Sequence, residues 1–172
     1  MNNIYGLRSA WEIREAYQYE SIGYIVHGKR GIGKSAFCVH VAAEALVPYM
    51  EKPDYNALKQ WLIFTPRQFT DMVLKTKSKQ LLLVWDDAGY WVNRLFWYEP
   101  FVKEALRYMT LARTQFACIL FNTPSLRMLP SKILELEDVY RIRITKPAFS
   151  DKGYPNERIR KAEVRSVWYS DD

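Results

Sequence analysis

The chain has 172 residues, which suits one hydrophobic core and leaves too little apolar material for two. With 49% hydrophobic and 26% charged residues and no low-complexity tract, its composition excludes a disordered tail, a collagen-like rod and a disulfide-stapled miniprotein. The 25 Lys and Arg against 19 Asp and Glu leave a formal charge of +6, which favours acidic partners such as nucleic acid without specifying one. Cys38 and Cys118 match no metal-ligand spacing or disulfide ladder and read as buried small hydrophobes. The start MNNIYGLRS lacks the basic stretch and apolar run of a signal peptide, and no apolar run approaches the ~20 residues that cross a bilayer. A cytoplasmic chain with no membrane partner is expected. An aromatic share of 15% is assigned to a dense core and a subunit contact rather than to base stacking.

Ser9 followed by Glu12 has capping-box spacing and predicts a helix opening at Ala10, inside an N-terminal helical extension over residues 1–20 of a single domain. Ile22 to Val26 is a short apolar run ending at Gly28, and after a glycine-rich turn Ala36, Val39, His40 and Ala43 recur at helical spacing. Pro48 to Gln60 reads as an irregular connection. Trp61 to Phe64 is a second strand, and Thr65, Pro66 and Gln68 mark a helix start with Phe69, Met72, Val73 and Thr76 on one face. Leu81 to Trp85 is the most apolar run in the chain and is expected to be the central strand, covered on both faces. Pro100 opens a helix carrying Val102, Ala105, Leu106 and Met109 on one stripe, and Ala117 to Phe121 follows as a buried strand. Thr123-Pro124 predicts one more helix, interrupted at Pro130 and restarted at Ser131. The alternation around Tyr140, Ile142, Ile144 and around Ala162, Val164, Ser166 predicts a C-terminal hairpin over residues 139–169, with a turn at Lys152-Gly153 and Pro155-Asn156. Alternating strands and helices imply an α/β fold with a mostly parallel sheet in three layers, right-handed crossovers and a site at the carboxyl ends of the strands.

Gly28-Lys29-Arg30-Gly31-Ile32-Gly33-Lys34-Ser35 matches the phosphate-loop pattern and lies between a strand and a helix. Glycines let successive amides curl around a phosphate, a helix amino terminus adds its positive end, Lys34 supplies a point charge and Ser35 holds magnesium. Gly28 to Ala36 is therefore the expected nucleotide-binding segment. Leu81 to Asp87 then delivers two acids to a strand's carboxyl end, as in a Walker B motif. Asp86 would orient the magnesium, and Asp87 stands where related ATPases place a Glu that polarises the attacking water. Its carboxylate is one methylene shorter, so the water sits closer or turnover is slow.

The strand at Trp61 to Phe64 and the helix at Phe69 to Thr76, inserted between the two motifs, resemble the additional-strand (ASCE) division of P-loop NTPases. That division includes RecA-like, AAA-type and FtsK/HerA-like motors. In it a polar residue ends the next strand and senses the terminal phosphate, a position that Asn122 fills here. The stretch from Trp85 to Trp91, with Arg113, Asn122 and Thr123-Pro124 after it, is similar to small ATPases of archaeal viruses and plasmids. It also resembles FtsK/HerA-like and zonular-occludens-toxin-like packaging ATPases, over roughly residues 20–145. The resemblance implies a P-loop NTPase fold, Mg2+-dependent ATP hydrolysis coupled to DNA handling in a mobile element, and a homo-oligomer. It further implies a catalytic arginine from a neighbouring subunit, with Arg113 the first choice and Arg94 and Arg127 behind it.

Three alternatives stand beside this reading. Lys29 resembles the signature lysine of the ParA-like deviant loop, a nucleotide-gated switch, which the extra strand disfavours. A small-molecule or nucleotide kinase shares the size and the loop but needs a lid, for which only Asn93 to Pro100 offers material. Guanine specificity is disfavoured because no Asn-Lys-x-Asp segment occurs. Finally, Arg141 to Arg165 holds eight basic residues against Asp151, Glu157 and Glu163, so the hairpin is either a DNA phosphate contact or a solvated edge that discourages aggregation.

Overall fold

Ile22 to Val26 is an unbroken apolar run because strand β1 (Ile22–His27) is enclosed on both faces, every residue up to Val26 being buried. The computed structural model describes residues 7–48, 51–96, 98–136, 138–146 and 161–166. Before β1 lies helix α1 (Arg8–Tyr19), and after it come helix α2 (Lys34–Ala45), the short helix α3 (Tyr55–Leu58) and strand β2 (Leu62–Ile63). Helix α4 (Pro66–Lys75), strand β3 (Gln80–Trp85), one-turn helix α5 (Ala88–Trp91) and helix α6 (Pro100–Gln115) follow. The chain continues through strand β4 (Phe116–Thr123), helix α7 (Ser131–Leu134) and strands β5 (Val139–Thr145) and β6 (Lys161–Ser166).

The six strands lie in the order β2-β3-β4-β1-β5-β6, parallel except for the antiparallel pair β5–β6. Alternate residues feed two cores. Tyr24, Val26, Leu82, Val84, Cys118 and Leu120 pack under α1 and α2, while Ile25, Leu83, Trp85, Ile119 and Phe121 pack under α4 and α6. Three layers result, as the alternation of strands and helices predicts.

The Thr65 capping box on α4 is present in full, with the Gln68 amide donating to Thr65 Oγ1 at 3.2 Å and Gln68 Oε1 accepting from the Thr65 amide at 3.0 Å. Several expectations are corrected. Ser9 caps nothing: α1 starts at Arg8 behind Leu7, and Glu12 is taken by Arg8 Nε at 2.7 Å and by the buried Tyr24 hydroxyl. Of the stripe expected on α2, Ala43 is buried and Val39 packs partly buried on the core, while Ala36 is left exposed; Cys38, Val41, Ala42 and Ala45 complete the inward face. The Pro48 to Gln60 connection contains α3, capped by Asp54. The apolar run at Leu81 to Trp85 is not central, since β4 lies between β3 and β1 and is buried along all eight residues. Past Thr123 the chain makes only a 3-10 turn (Leu126–Met128), whose Arg127 amide donates to Ser125 Oγ while the Ser125 amide ahead of it donates to Thr123 Oγ1, before α7 begins. Strands β5 and β6 form the expected hairpin pair. The Lys152-Gly153 and Pro155-Asn156 turn lies outside the described residues. Among those residues no helix is long and apolar enough to cross a membrane.

Candidate active site

Register decides what meets at the carboxyl edge of the sheet. Val26 pairs with Asn122 and His27 with Thr123 across β1–β4, while Trp85 pairs with Phe121 across β3–β4. Gly28, Asp86 and Asn122 therefore emerge side by side from three adjacent strands. Gly28 is required by a close approach: a Cβ there would stand 2.6 Å from the Ile144 carbonyl oxygen of β5, and its φ of 151° is one that side chains avoid. The loop curls from this point into α2.

Helix α2 begins at Gly33, in a left-handed conformation, with no side-chain cap and no acid in its first turn. No side chain takes its first amides, as at α1 and α6, whereas α3 and α4 are capped. Lys34 is 7% exposed and its Nζ donates to the Lys29 carbonyl at 3.1 Å, spanning the loop. One residue on, Ser35 Oγ donates to Asp86 Oδ1 at 2.9 Å and accepts from Asn122 Nδ2 at 2.8 Å. Asn122 Nδ2 also bonds Asp86 Oδ1, closing a triangle of three side chains from α2, β3 and β4. Asn122 is almost fully buried, and its Oδ1 has no hydrogen-bond partner among the described residues. Beneath them Cys38 is inert, because burial and the Asp86 charge push its thiol far up.

Asp87 differs from Asp86 in every respect. It is exposed, and its φ of 52° turns the chain sharply into α5. That helix is pressed onto the end of β4: a Cβ on Gly89 would lie 2.0 Å from Thr123 Oγ1. The close seat brings Tyr90 to a cavity of about 260 Å3 that Arg30, Gly31, Lys34, Ser35, Asp87 and Asn122 also line.

Thus Lys34, Ser35, Asp86, Asp87 and Asn122 are brought together with the loop. Lys29 and Arg30 stand exposed on the loop, Ile32 is half-buried against the α1/α2 core, and Ala36 lies exposed in the first turn of α2. Arg113 is not brought there. It sits in the last turn of α6 and borders a cavity with Ser21, Ile22 and Gly23, at the amino ends of the strands. Arg127 and Arg94 lie on the loop side, in two exposed 3-10 turns that touch each other. Tyr90 and Gly89 were missed by sequence reasoning; the signal was a glycine directly after the paired acids.

No protein-family model matches the chain. It is 24% identical over 110 residues to the uncharacterized protein B-251 of Sulfolobus spindle-shape virus 1, covering 59% of this chain and 42% of that protein. It is 26% identical over 147 residues to the uncharacterized protein ORF286 of Acidianus two-tailed virus, covering 82% and 46%. The chain spans less than half the length of these curated relatives. Among solved structures it is similar to the N-terminal domain of zonular occludens toxin from Neisseria meningitidis, with a TM-score of 0.51 at 18% identity over 88% of this chain and 87% of that one. The likeness is one of fold, and with the six-stranded, mostly parallel sheet between helices it places the chain among P-loop NTPase-like α/β folds.

Proposed function

We propose that the chain binds ATP with Mg2+ at the loop and hydrolyses it. The observation that carries this reading is the convergence of Ser35, Asp86 and Asn122 beside an uncapped helix start. A triphosphate placed over those amides takes charge from Lys34, whose Nζ exchanges the Lys29 carbonyl for phosphate oxygens. Among the described residues no three His, Cys, Asp or Glu side chains converge as a metal cage. Ser35 Oγ and Asp86 Oδ1, 2.9 Å apart, are the oxygens on offer, and this sparse set fits Mg2+, which fills its other positions with water and phosphate oxygens. Bound there, the cation neutralises charge on the phosphates. Asn122 adds an amide next to the terminal phosphate, and Asp87, exposed on the cavity wall, accepts a proton from the attacking water. Arg127 and Arg94, on the loop side, are the arginines placed to face the chain's own nucleotide, whereas Arg113 could serve only a neighbouring subunit's site.

Coupling of this turnover to DNA, in a mobile element and as an oligomer, is the finer part of the proposal. The basic hairpin and the viral origin of the relatives support it. The test is phosphate release from ATP, with and without DNA, for wild type and Asp87→Asn. Mg2+-dependent release that falls about 100-fold or more in the variant, with ATP affinity kept, is the expected result. Equal release by both proteins removes Asp87 from the chemistry, and absence of ATP binding by wild type ends the reading.

A further inference from the structure

Outside the loop, the described residues gather charge on the sheet face of β5 and β6 on the α4/α6 side. Tyr140, Ile142 and Ile144 turn toward the α1/α2 core, so Arg141, Arg143 and Thr145 project to the opposite face. Antiparallel register sets Arg165 directly across from Arg141, and Lys161 across from Thr145, on that same face. The one acid among the described residues of these strands, Glu163, stands across from Arg143 on the same face and bonds Lys161 at 3.1 Å, so the like-charged pair across the two strands is Arg141 with Arg165. Two arginines facing each other repel, and Arg141 Nε is buried with no hydrogen-bond partner among the described residues. Both facts ask for an anion from outside.

The face runs into a cavity of about 920 Å3 that Lys29, Arg127, Arg143 and Lys146 border, and among the described residues no carboxylate does. His27, at the end of β1, sits within the field of Arg143, Arg141 and Arg165, which joins strand face and cavity into one surface. Its arginines on β5 are two residues apart, a repeat of about 6.8 Å. None of the large hydrophobics exposed among the described residues borders this cavity, and Val164 turns to the other side of β6; the apolar part of the lining is Ile32, Pro124, Leu126 and Ile144, set among the cations.

We propose that this surface holds the sugar–phosphate backbone of nucleic acid, by charge and without base stacking. The inference deepens the nucleic-acid half of the proposed function and rests on it. It also supplies a physical link, since the cavity and the nucleotide loop share Gly28 and Lys29 and the turn beyond Asn122.

The experiment measures fluorescence anisotropy of a labelled 30-base-pair duplex and of its single strand over a salt series, with ATP affinity measured on the same proteins. Arg143→Glu with Arg165→Glu is compared with Arg67→Glu and Lys75→Glu on α4, an equal charge change on another element. Wild type is expected to bind with a log–log salt slope near about −4, and the face variant to bind at least about tenfold more weakly with a flatter slope. The α4 variant should stay within about threefold of wild type. Should charge reversal unfold the protein, Arg143→Gln with Arg165→Gln must show a smaller loss in the same direction. Equal losses in both charge variants, or displacement of DNA by polyglutamate at matched charge, would overturn the proposal. So would failure of wild type to bind DNA at low salt; if ATP affinity is intact in that case, the nucleotide reading stands alone.

Discussion

The two ends of the sheet use the same kinds of side chain for opposite ends. At the amino end, Ser21 Oγ donates to the Phe116 carbonyl at 3.0 Å, Lys79 Nζ to that of Glu20 at 3.0 Å, and Gln115 Nε2 to that of Thr76 at 2.9 Å. Each donor there is spent on a carbonyl of a neighbouring turn. At the carboxyl end, Ser35, Asp86 and Asn122 bond one another, beside a helix start that no side chain caps. A serine that closes a turn and a serine that awaits a ligand are alike in composition; their position along parallel strands separates them.

That contrast breaks most readily at Lys34. Lys34→Ala should lower ATP affinity by about 30-fold or more, on the order of 2 kcal/mol for a lost charge-assisted contact, while a thermal melt stays close to wild type. Calorimetric titration with unchanged affinity would erase the distinction between the two ends. Gly89→Ala should cost about 1–3 kcal/mol in urea unfolding, because the new methyl must displace Thr123 or lift α5. It should weaken ATP binding as well, since Asp87 and Tyr90 move with that helix. Ser21→Ala makes the opposite kind of change: about 1 kcal/mol of stability lost with the Phe116 bond, and ATP affinity untouched.

How much was legible follows from how local each signal is. The phosphate loop, the Thr65 cap and the paired acids are contiguous patterns whose chemistry needs no partner from afar, and the structure contains each segment in the predicted element. The mistaken centre of the sheet has another origin. Leu81 to Trp85 and Ala117 to Phe121 are both unbroken apolar runs, and only pairing with β1, set by contacts distant in sequence, puts the second in the middle. Glu12 illustrates competition, since a carboxylate at capping-box spacing was claimed by Arg8 and by Tyr24 across the core. Arg113 shows how far chain order reaches: in a parallel α/β chain the corner from helix to strand lies at the amino end, so an arginine closing α6 stands away from its own loop and could meet a nucleotide only on a neighbouring subunit.

The smallest expected effect is also the most local. His27 closes β1 directly before Gly28, and partial burial, then Arg143, Arg141 and Arg165, lower its pKa below the ordinary value of 6.5. Between the lowered value and 6.5 the unfolded chain takes up the proton and the folded chain does not, so this residue's contribution is present above that range and is lost as pH falls through it. Wild type should therefore lose more melting temperature than His27→Gln between about pH 6.5 and pH 5, and parallel profiles would remove His27 from the acid response. Saturation with duplex DNA makes the comparison sharper. Phosphates over Arg141, Arg143 and Arg165 would cancel the electrostatic part of the lowering and leave only the desolvation. The His27 proton resonance, one of two histidines in the chain, should then titrate at a higher pH with DNA than without.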